Sequence, residues 1–236
     1  MSDLSIFFIL DGSGSMSGVQ KEVVDGLNDF IQEQKDEAAL GTNVVFSLTV
    51  FDYKPTIVYM AEDINSVTPI TKKDTFLGGG TALYDAIGTT LEKAKSENLP
   101  GKKLVAIYTD GYENSSVEWT PDKVKNLIKE LENDGDWTVI FMSAEINDFA
   151  TAQNLGVAAG NYTVVRGGAA GMSSTMSGLS QATHAHTVAA AASTGTFFGD
   201  YANSDLTEAM VDFERVNVVE PGTEEDKAEG NISTEF

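Results

Sequence analysis

The sequence predicts an α/β fold of three layers, α/β/α. Its central sheet is mostly parallel, with one antiparallel edge strand and helices on both faces. Two observations carry this. Short, nearly all-apolar runs, the kind that strands buried on both faces require, alternate with segments whose apolar residues recur at helical spacing. Several of the runs stop at loops of Gly, Ser, Thr and Asp, so polar groups gather at strand ends. Alternation of strand and helix implies right-handed crossovers and places the strand-to-helix loops on one rim of the sheet.

Leu4 to Leu10 reads as a buried parallel strand. Val19, Val23, Val24, Leu27, Phe30 and Ile31 follow at helical spacing, so a helix is expected from about Ser17 to Ala39, ended by Gly41. Val44 to Phe51 and Thr56 to Tyr59 flank Asp52-Tyr53-Lys54-Pro55 and read as a hairpin, with its second strand at the sheet edge. Thr81 is placed to cap a helix whose buried face is Ala82, Leu83, Ala86, Ile87, Leu91 and Ala94. Leu104 to Tyr108 is a further buried strand. Thr120-Pro121 opens a helix with a cap and a proline at its first position, and Val124, Leu127, Ile128 and Leu131 face its core. Trp137 to Met142, a short helix from Asn147 to Leu155, and Tyr162 to Val165 complete the alternation. Residues 167–196 are rich in Ala, Gly, Ser and Thr. Met172, Met176, Leu179 and Thr183 recur there at helical spacing, so a last helix is expected from about Ala169 to Ala192, with low-complexity linker as the alternative.

The chain has 236 residues, enough for one good core and an extension. No apolar run approaches membrane-spanning length. The first residues, Met1-Ser2-Asp3-Leu4-Ser5, lack a basic stretch, so the apolar run behind them reads as a core strand rather than a signal peptide, and a cytoplasmic location is expected. The absence of cysteine excludes disulfides and thiolate metal sites. Formal net charge is -21, and after Lys129 the only Lys or Arg residues are Arg166, Arg215 and Lys227. Such a surface repels nucleic acid and anionic membranes.

Asp11-Gly12-Ser13-Gly14-Ser15 is the most informative segment. It follows the first strand and alternates one carboxylate and two hydroxyls with glycines, so all three oxygens can turn to one point. An all-oxygen set suits a hard cation such as Mg2+. Gly78-Gly79-Gly80-Thr81 and Tyr108-Thr109-Asp110-Gly111 lie at the same rim and can supply the rest of the shell. The ordinary alternative is that Ser13 and Ser15 cap the following helix and Asp110 stabilises a turn.

Together these residues resemble the von Willebrand factor A (vWA) family, with its Rossmann-like fold and metal-ion-dependent adhesion site. The pattern Asp-x-Ser-x-Ser, a distant Thr and a distant Asp is complete here as Asp11, Ser13, Ser15, Thr81 and Asp110. The resemblance covers about residues 3–193. It implies Mg2+ as the cofactor, with Mn2+ or Ca2+ as alternatives. It also implies direct ligation by Ser13 and Ser15, direct or water-mediated ligation by Thr81, and a supporting role through water for Asp11 and Asp110. The expected function is non-enzymatic: a protein partner presents an Asp or Glu carboxylate that completes the metal shell. Tyr112, Glu113, Asn114 and Asp85 are candidates for the partner-binding rim.

Two other readings compete. A structural or assembly protein, phage-associated or otherwise, would use the C-terminal extension as its interface, and stand-alone proteins of similar pattern occur in bacteria and their phages. A phosphate-acting Mg2+ enzyme is disfavoured: the actin-like pattern needs an acidic residue where Phe76 and Leu77 stand, and a haloacid-dehalogenase phosphatase needs an aspartate where Ser13 stands. His184-Ala185-His186 is not read as a metal pair, because residues two apart on a helix point to different sides. The expected organisation is a vWA domain over 1–193 and an acidic extension over 194–236. In the extension, Phe197, Phe198 and Tyr201 anchor the chain. Leu206, Met210, Val211 and Phe213 form a short helix, and 220–236 stays disordered in isolation. Oligomeric state is left open.

Overall fold

A computed structural model describes residues 3–75, 78–144, 148–165, 168–189 and 197–198. The first strand, β1 (Asp3–Asp11), is buried from Leu4 to its end. A 3-10 turn at Gly14–Gly18 follows, and only then α1 (Gln20–Ala39). The regular helix therefore starts about one turn later than the Ser17 expected from spacing, because the glycine-serine loop is spent on tight turns. Gly41, at φ +110°, lies just past the end of α1 in a conformation that favours glycine.

The hairpin is present as β2 (Asn43–Phe51) and β3 (Pro55–Asp63). β3 is longer than expected and carries register irregularities opposite Phe46–Thr49, with Ala61 at φ +52°. Such bulges, together with Pro55 and the acidic end Glu62-Asp63, blunt an edge strand against pairing. Then come α2 (Leu83–Glu97), β4 (Lys102–Thr109), α3 (Pro121–Asn133) and β5 (Trp137–Ser143). The chain continues through α4 (Phe149–Asn154), β6 (Tyr162–Val164) and α5 (Gly168–Val188). The expected Thr120 cap is present, its side chain accepting from Lys123 N.

Strand order is β3-β2-β1-β4-β5-β6, parallel except for the β2–β3 pair. The chain winds outward from β1 to β3, then crosses back to β4 and winds outward the other way. The crevice between the carboxyl ends of β1 and β4 is thus the topological switch point, where open α/β sheets hold ligands.

Each face of the sheet has its own core. One cluster joins Ile6, Phe8 and Leu10 of β1 to Leu27 and Phe30 of α1 and to Met172, Met176 and Leu179 of α5. The other joins Phe7 and Ile9 to Ile87 and Leu91 of α2 and to Ile128 of α3. Strict alternation along β1 explains why a strand with no polar interior residue but Ser5 can serve both. Two glycines record close approaches. Gly26 on α1 leaves room for Met172 and Met176, and Gly88 on α2 lies against the Trp119 indole, which a Cβ would strike. The small-residue segment after residue 167 is helix rather than linker, and α5 packs along α1.

Phe197 and Phe198 are fully buried, and Phe197 N donates to Asn161 Oδ1 at 2.8 Å. Tyr201, the segment around Leu206–Phe213, the tail 220–236 and the last residues of the expected final helix lie outside the described residues. No helix among the described residues is long and apolar enough to cross a membrane.

Candidate functional site

β1 and β4 end side by side, since Leu10 pairs with Tyr108, and the groups just beyond them converge. Asp11 is buried, and its Oδ1 accepts from Ser13 N at 2.7 Å. Thr109 Oγ1 donates to Asp11 Oδ2 at 2.5 Å. Ser15 Oγ donates to Asp110 Oδ1 at 2.7 Å and lies 2.9 Å from Ser13 Oγ. Neither serine caps a helix: the turn at Gly14–Gly18 and α1 both begin without a side-chain cap. The alternative of ordinary capping is therefore excluded by where these hydroxyls go.

Gly111 locates the space between the three segments. A methyl group built on it would lie 3.1 Å from Thr81 Oγ1, 3.5 Å from Asp11 Oδ2 and 3.6 Å from Ser15 Oγ. Oxygens from three distant parts of the chain thus surround one point that the missing side chain leaves open. Asp11, Ser13 and Thr81 form the buried floor of this cradle, while Ser15 is exposed and Asp110 half-buried on the open side. The donor set is hydroxyls and carboxylates, which fits a hard divalent cation. No group of three or more His, Cys, Asp or Glu among the described residues is arranged to hold a metal ion.

The electrostatics point the same way. Burial pushes the Asp11 carboxyl above its ordinary value, against the hydrogen bonds from Thr109 and Ser13, and the Asp110 charge adds to the upward shift. Burial likewise raises the Tyr108 phenol, with the Asp110 and Asp11 charges contributing. Two carboxylates gathered at a low-dielectric strand end are costly without a cation between them.

Thr81 is not the helix cap that its sequence context predicts. α2 begins at Leu83 with Ala82 as its N-cap residue and no side-chain cap bond. The loop after β4 satisfies the helix end instead. Glu113 Oε2 accepts from Tyr84 N at 3.0 Å, and Ser116 Oγ accepts from Asp85 N at 3.0 Å. The physical reason is that Thr81 is held further out, by Asn114. Thr81 N donates to Asn114 Oδ1 at 3.0 Å and Asn114 N donates to Thr81 O at 3.1 Å. The helix N-terminus is consequently occupied by the protein's own side chains.

The four rim candidates therefore have distinct positions. The Asp85 carboxylate is buried and accepts from Val117, Glu118 and Trp119 N at 2.7–3.0 Å. Glu113 Oε1 accepts from Ser115 N and Ser116 N at 2.8 and 2.7 Å. Asn114 brackets Thr81. The side chains of these three organise the loop, whereas Tyr112 is 64% exposed. Thr109 and Tyr53 are site elements that sequence reasoning did not single out. The signal for Thr109 was its place beside Asp110 at a strand end. The signal for Tyr53 was the triple glycine Gly78-Gly79-Gly80, since a glycine run marks something pressed against backbone, and here a Cβ on Gly79 or Gly80 would collide with the Tyr53 phenol. Of the histidines, His184 meets Glu37 at 2.8 Å on the surface while His186 is buried, so the two do point apart.

The von Willebrand factor type A domain model matches residues 5–192 of this chain. The PilB minor pilin from Streptococcus sanguinis is similar in structure, with TM-score 0.58 and 12% identity over 76% of this chain and 60% of that one. A von Willebrand factor type A protein from Catenulispora acidiphila gives TM-score 0.53 and 16% identity over 76% and 42%. The ArnB paralog VWA2 from Sulfolobus acidocaldarius gives TM-score 0.51 and 17% identity over 77% and 45%. At these identities the likeness shows the fold alone, and this chain spans less than two thirds of each of these structures. No curated protein matches the chain.

Proposed function

We infer that this chain, which belongs to the von Willebrand factor type A family, is a non-enzymatic protein-binding module that works through a divalent cation held by Asp11, Ser13, Ser15, Thr81 and Asp110. Domains of this family commonly mediate metal-dependent protein interaction. The observation that carries the reading is the cradle at Gly111, where Thr81 Oγ1, Asp11 Oδ2 and Ser15 Oγ lie within 3.1–3.6 Å of one open point. Ser13 and Ser15 would be direct ligands, Thr81 a direct or water-mediated one, and Asp11 and Asp110 the charge that holds the shell together. Mg2+ is the proposed cation, with Mn2+ or Ca2+ as alternatives for the same oxygen set.

When bound, the cation would supply a Lewis-acidic centre able to take a partner's Asp or Glu carboxylate, and the neutral hydroxyls of Ser13, Ser15 and Thr81 would leave part of its charge for that group. Thr109 orients Asp11, and Asn114 holds Thr81 against the loop that carries Asp110. The result is adhesion through a metal bridge, without a bond made or broken in the partner.

The assembly reading retains one observation. Phe197 and Phe198 are buried in the core, so the chain beyond the matched domain is tied to it. Titration of the purified protein with Mg2+, Mn2+ and Ca2+, in parallel with Asp11→Ala, tests the metal. Capture from a lysate in Mg2+ and in EDTA then tests the bridge. One metal bound per chain by wild type and none by Asp11→Ala is the expected result. A partner captured equally in EDTA would move the interface off this site.

A further inference from the structure

The end of the fold opposite the metal cradle carries a groove. Leu4 and Val44 pair there, where β1 and β2 begin, and the last residues of α1 and α5 line the same hollow. It encloses about 200 Å3 between Leu4, Leu40, Val44 and Val188. Leu40 is 82% exposed and Val188 68%, although both are large hydrophobic side chains. The polar side chains along the groove, other than Thr42, are engaged within the protein. His184 Nδ1 lies 2.8 Å from Glu37 Oε2, Gln34 Nε2 donates to Ser180 Oγ at 3.5 Å, and Thr187 Oγ1 donates to Thr183 O at 2.8 Å. The groove therefore offers an occupant mainly apolar contact. Its volume is below the ~300–1,000 Å3 usual for small-molecule pockets, so it suits a few inserted side chains.

The chain itself carries a segment that reaches this place. Phe197 and Phe198 are fully buried, in the core cluster that includes Leu4, Met176 and Leu179. The Phe197 ring lies 5.5 Å from that of His186, the residue before Thr187 and Val188 of the groove. From Phe198, eight residues lead to Leu206, a reach of at most about 26–29 Å. That spans even the whole six-stranded sheet at ~4.8 Å per strand. Leu206, Ala209, Met210 and Phe213 recur at i, i+3, i+4 and i+7, one stripe of a helix, while Asp205, Glu208 and Asp212 fall on the other side. A helix this short is marginal alone in water and gains by laying its apolar stripe in a groove.

We propose that residues 206–213 dock in this groove within the same chain, as a helix whose Leu206, Met210 and Phe213 cover Leu4, Leu40, Val44 and Val188. The buried Phe197-Phe198 pair is the anchor from which the segment reaches across. A tether this short holds it at a millimolar effective concentration, ahead of a free partner of similar affinity. Its acidic side faces outward. The extension is then a strap across the ends of α1 and α5, and its apolar face is spent inside the protein. The inference is independent of the cation site, which lies at the other ends of the strands.

The chain has no cysteine, so an introduced pair reports without interference. The full chain is prepared as Leu40→Cys with Met210→Cys and, for comparison, as Asp134→Cys with Met210→Cys. Asp134 is exposed at the same end of the sheet, just before β5, and outside the groove. Leu40 is itself exposed, so its replacement leaves the core intact. Under mild oxidation the Leu40 pair is expected to form a disulfide within one chain at least about tenfold faster than the Asp134 pair. Adding Leu206→Asp and Phe213→Asp is expected to remove that advantage. Equal rates for the two pairs overturn the docking, as does the absence of any disulfide. An advantage that survives the aspartates overturns it too, because the stripe then does not hold the segment. Disulfides that join two chains through Leu40→Cys would give the groove to a second copy and overturn the strap.

Discussion

Replacing Gly111 by alanine separates the cradle from the fold. Gly111 is not among the residues at positive φ, so alanine is compatible with its backbone. The added methyl would meet Thr81 Oγ1 at 3.1 Å, a tight contact that a small movement of the hydroxyl relieves, and Asp11 Oδ2 and Ser15 Oγ at 3.5 and 3.6 Å, which are ordinary van der Waals distances. The strain of about 1 kcal/mol is offset by the ~0.4–1 kcal/mol that alanine gains by restricting the unfolded chain. Net stability should therefore change by less than about 1 kcal/mol, or ~2–4 °C in Tm for a domain of this size. A cation needs these oxygens at about 2.0–2.1 Å together with room for shell water, and the methyl occupies the space they enclose. Mg2+ or Mn2+ affinity is expected to fall about 10- to 100-fold, the range seen when groups supporting a metal shell are disturbed. Calorimetric titration alongside thermal unfolding reads both quantities. A Gly111→Ala protein that binds Mn2+ as wild type does would refute the identification of this space as the metal cradle.

Gly88→Ala makes the same chemical change with the opposite outcome: its Cβ would strike the Trp119 indole, so urea unfolding should show a loss of about 3 kcal/mol while metal affinity per folded molecule is kept. Burial raises the Glu132 carboxyl to about 7, against a hydrogen bond from Val139 N, so the native state holds a proton that the unfolded chain releases between pH 4.5 and 7. Stability from this group is full below about pH 4.5 and is lost as pH rises through 7. Glu132→Gln should accordingly be more stable than wild type by about 3 kcal/mol at pH 8 and equal to it at pH 4.5, by urea titration at both. Burial, then the Lys102 charge, lowers the His186 imidazole to about 4, so here the unfolded chain takes up the proton first and stability is lost as pH falls from 6.5 to 4. His186→Phe should flatten that acid limb by about 3 kcal/mol, whatever its effect at neutral pH. The two groups act in opposite directions between pH 4.5 and 6.5, so Glu132→Gln should show a steeper acid limb there than wild type.

Local pattern was enough for the elements. The near-continuous apolar run in β1, the helical spacing in α1 and the Thr120-Pro121 start of α3 each record what a few neighbouring residues bury or cap, and each element is found where its pattern lies. The alternation of those elements also made the mostly parallel sheet and its ligand-bearing rim legible, because crossover handedness leaves few alternatives, whereas the strand order came only from the structure. The five candidate metal-site residues were named by the family pattern they complete, and the places of their segments along the chain put them on that rim.

What the sequence could not contain was contact between segments. Thr81 has every local mark of an N-cap, yet Asn114 holds its backbone from a loop 33 residues away and Glu113 takes over the helix end. Glu113 and Asn114 read as groups of a polar loop and Asp85 as a residue of the first turn of the neighbouring helix, but pairing across that gap turns their side chains into internal bracing of the loop. Tyr53 reads as an ordinary turn residue until the glycines at 78–80 are folded beneath it. Composition and spacing thus determined the fold, the rim and the residue types at the candidate metal site. Only the tertiary structure decided which polar groups are spent inside the protein and which remain free for a partner, because a hydrogen bond between distant segments leaves no periodic trace in either one.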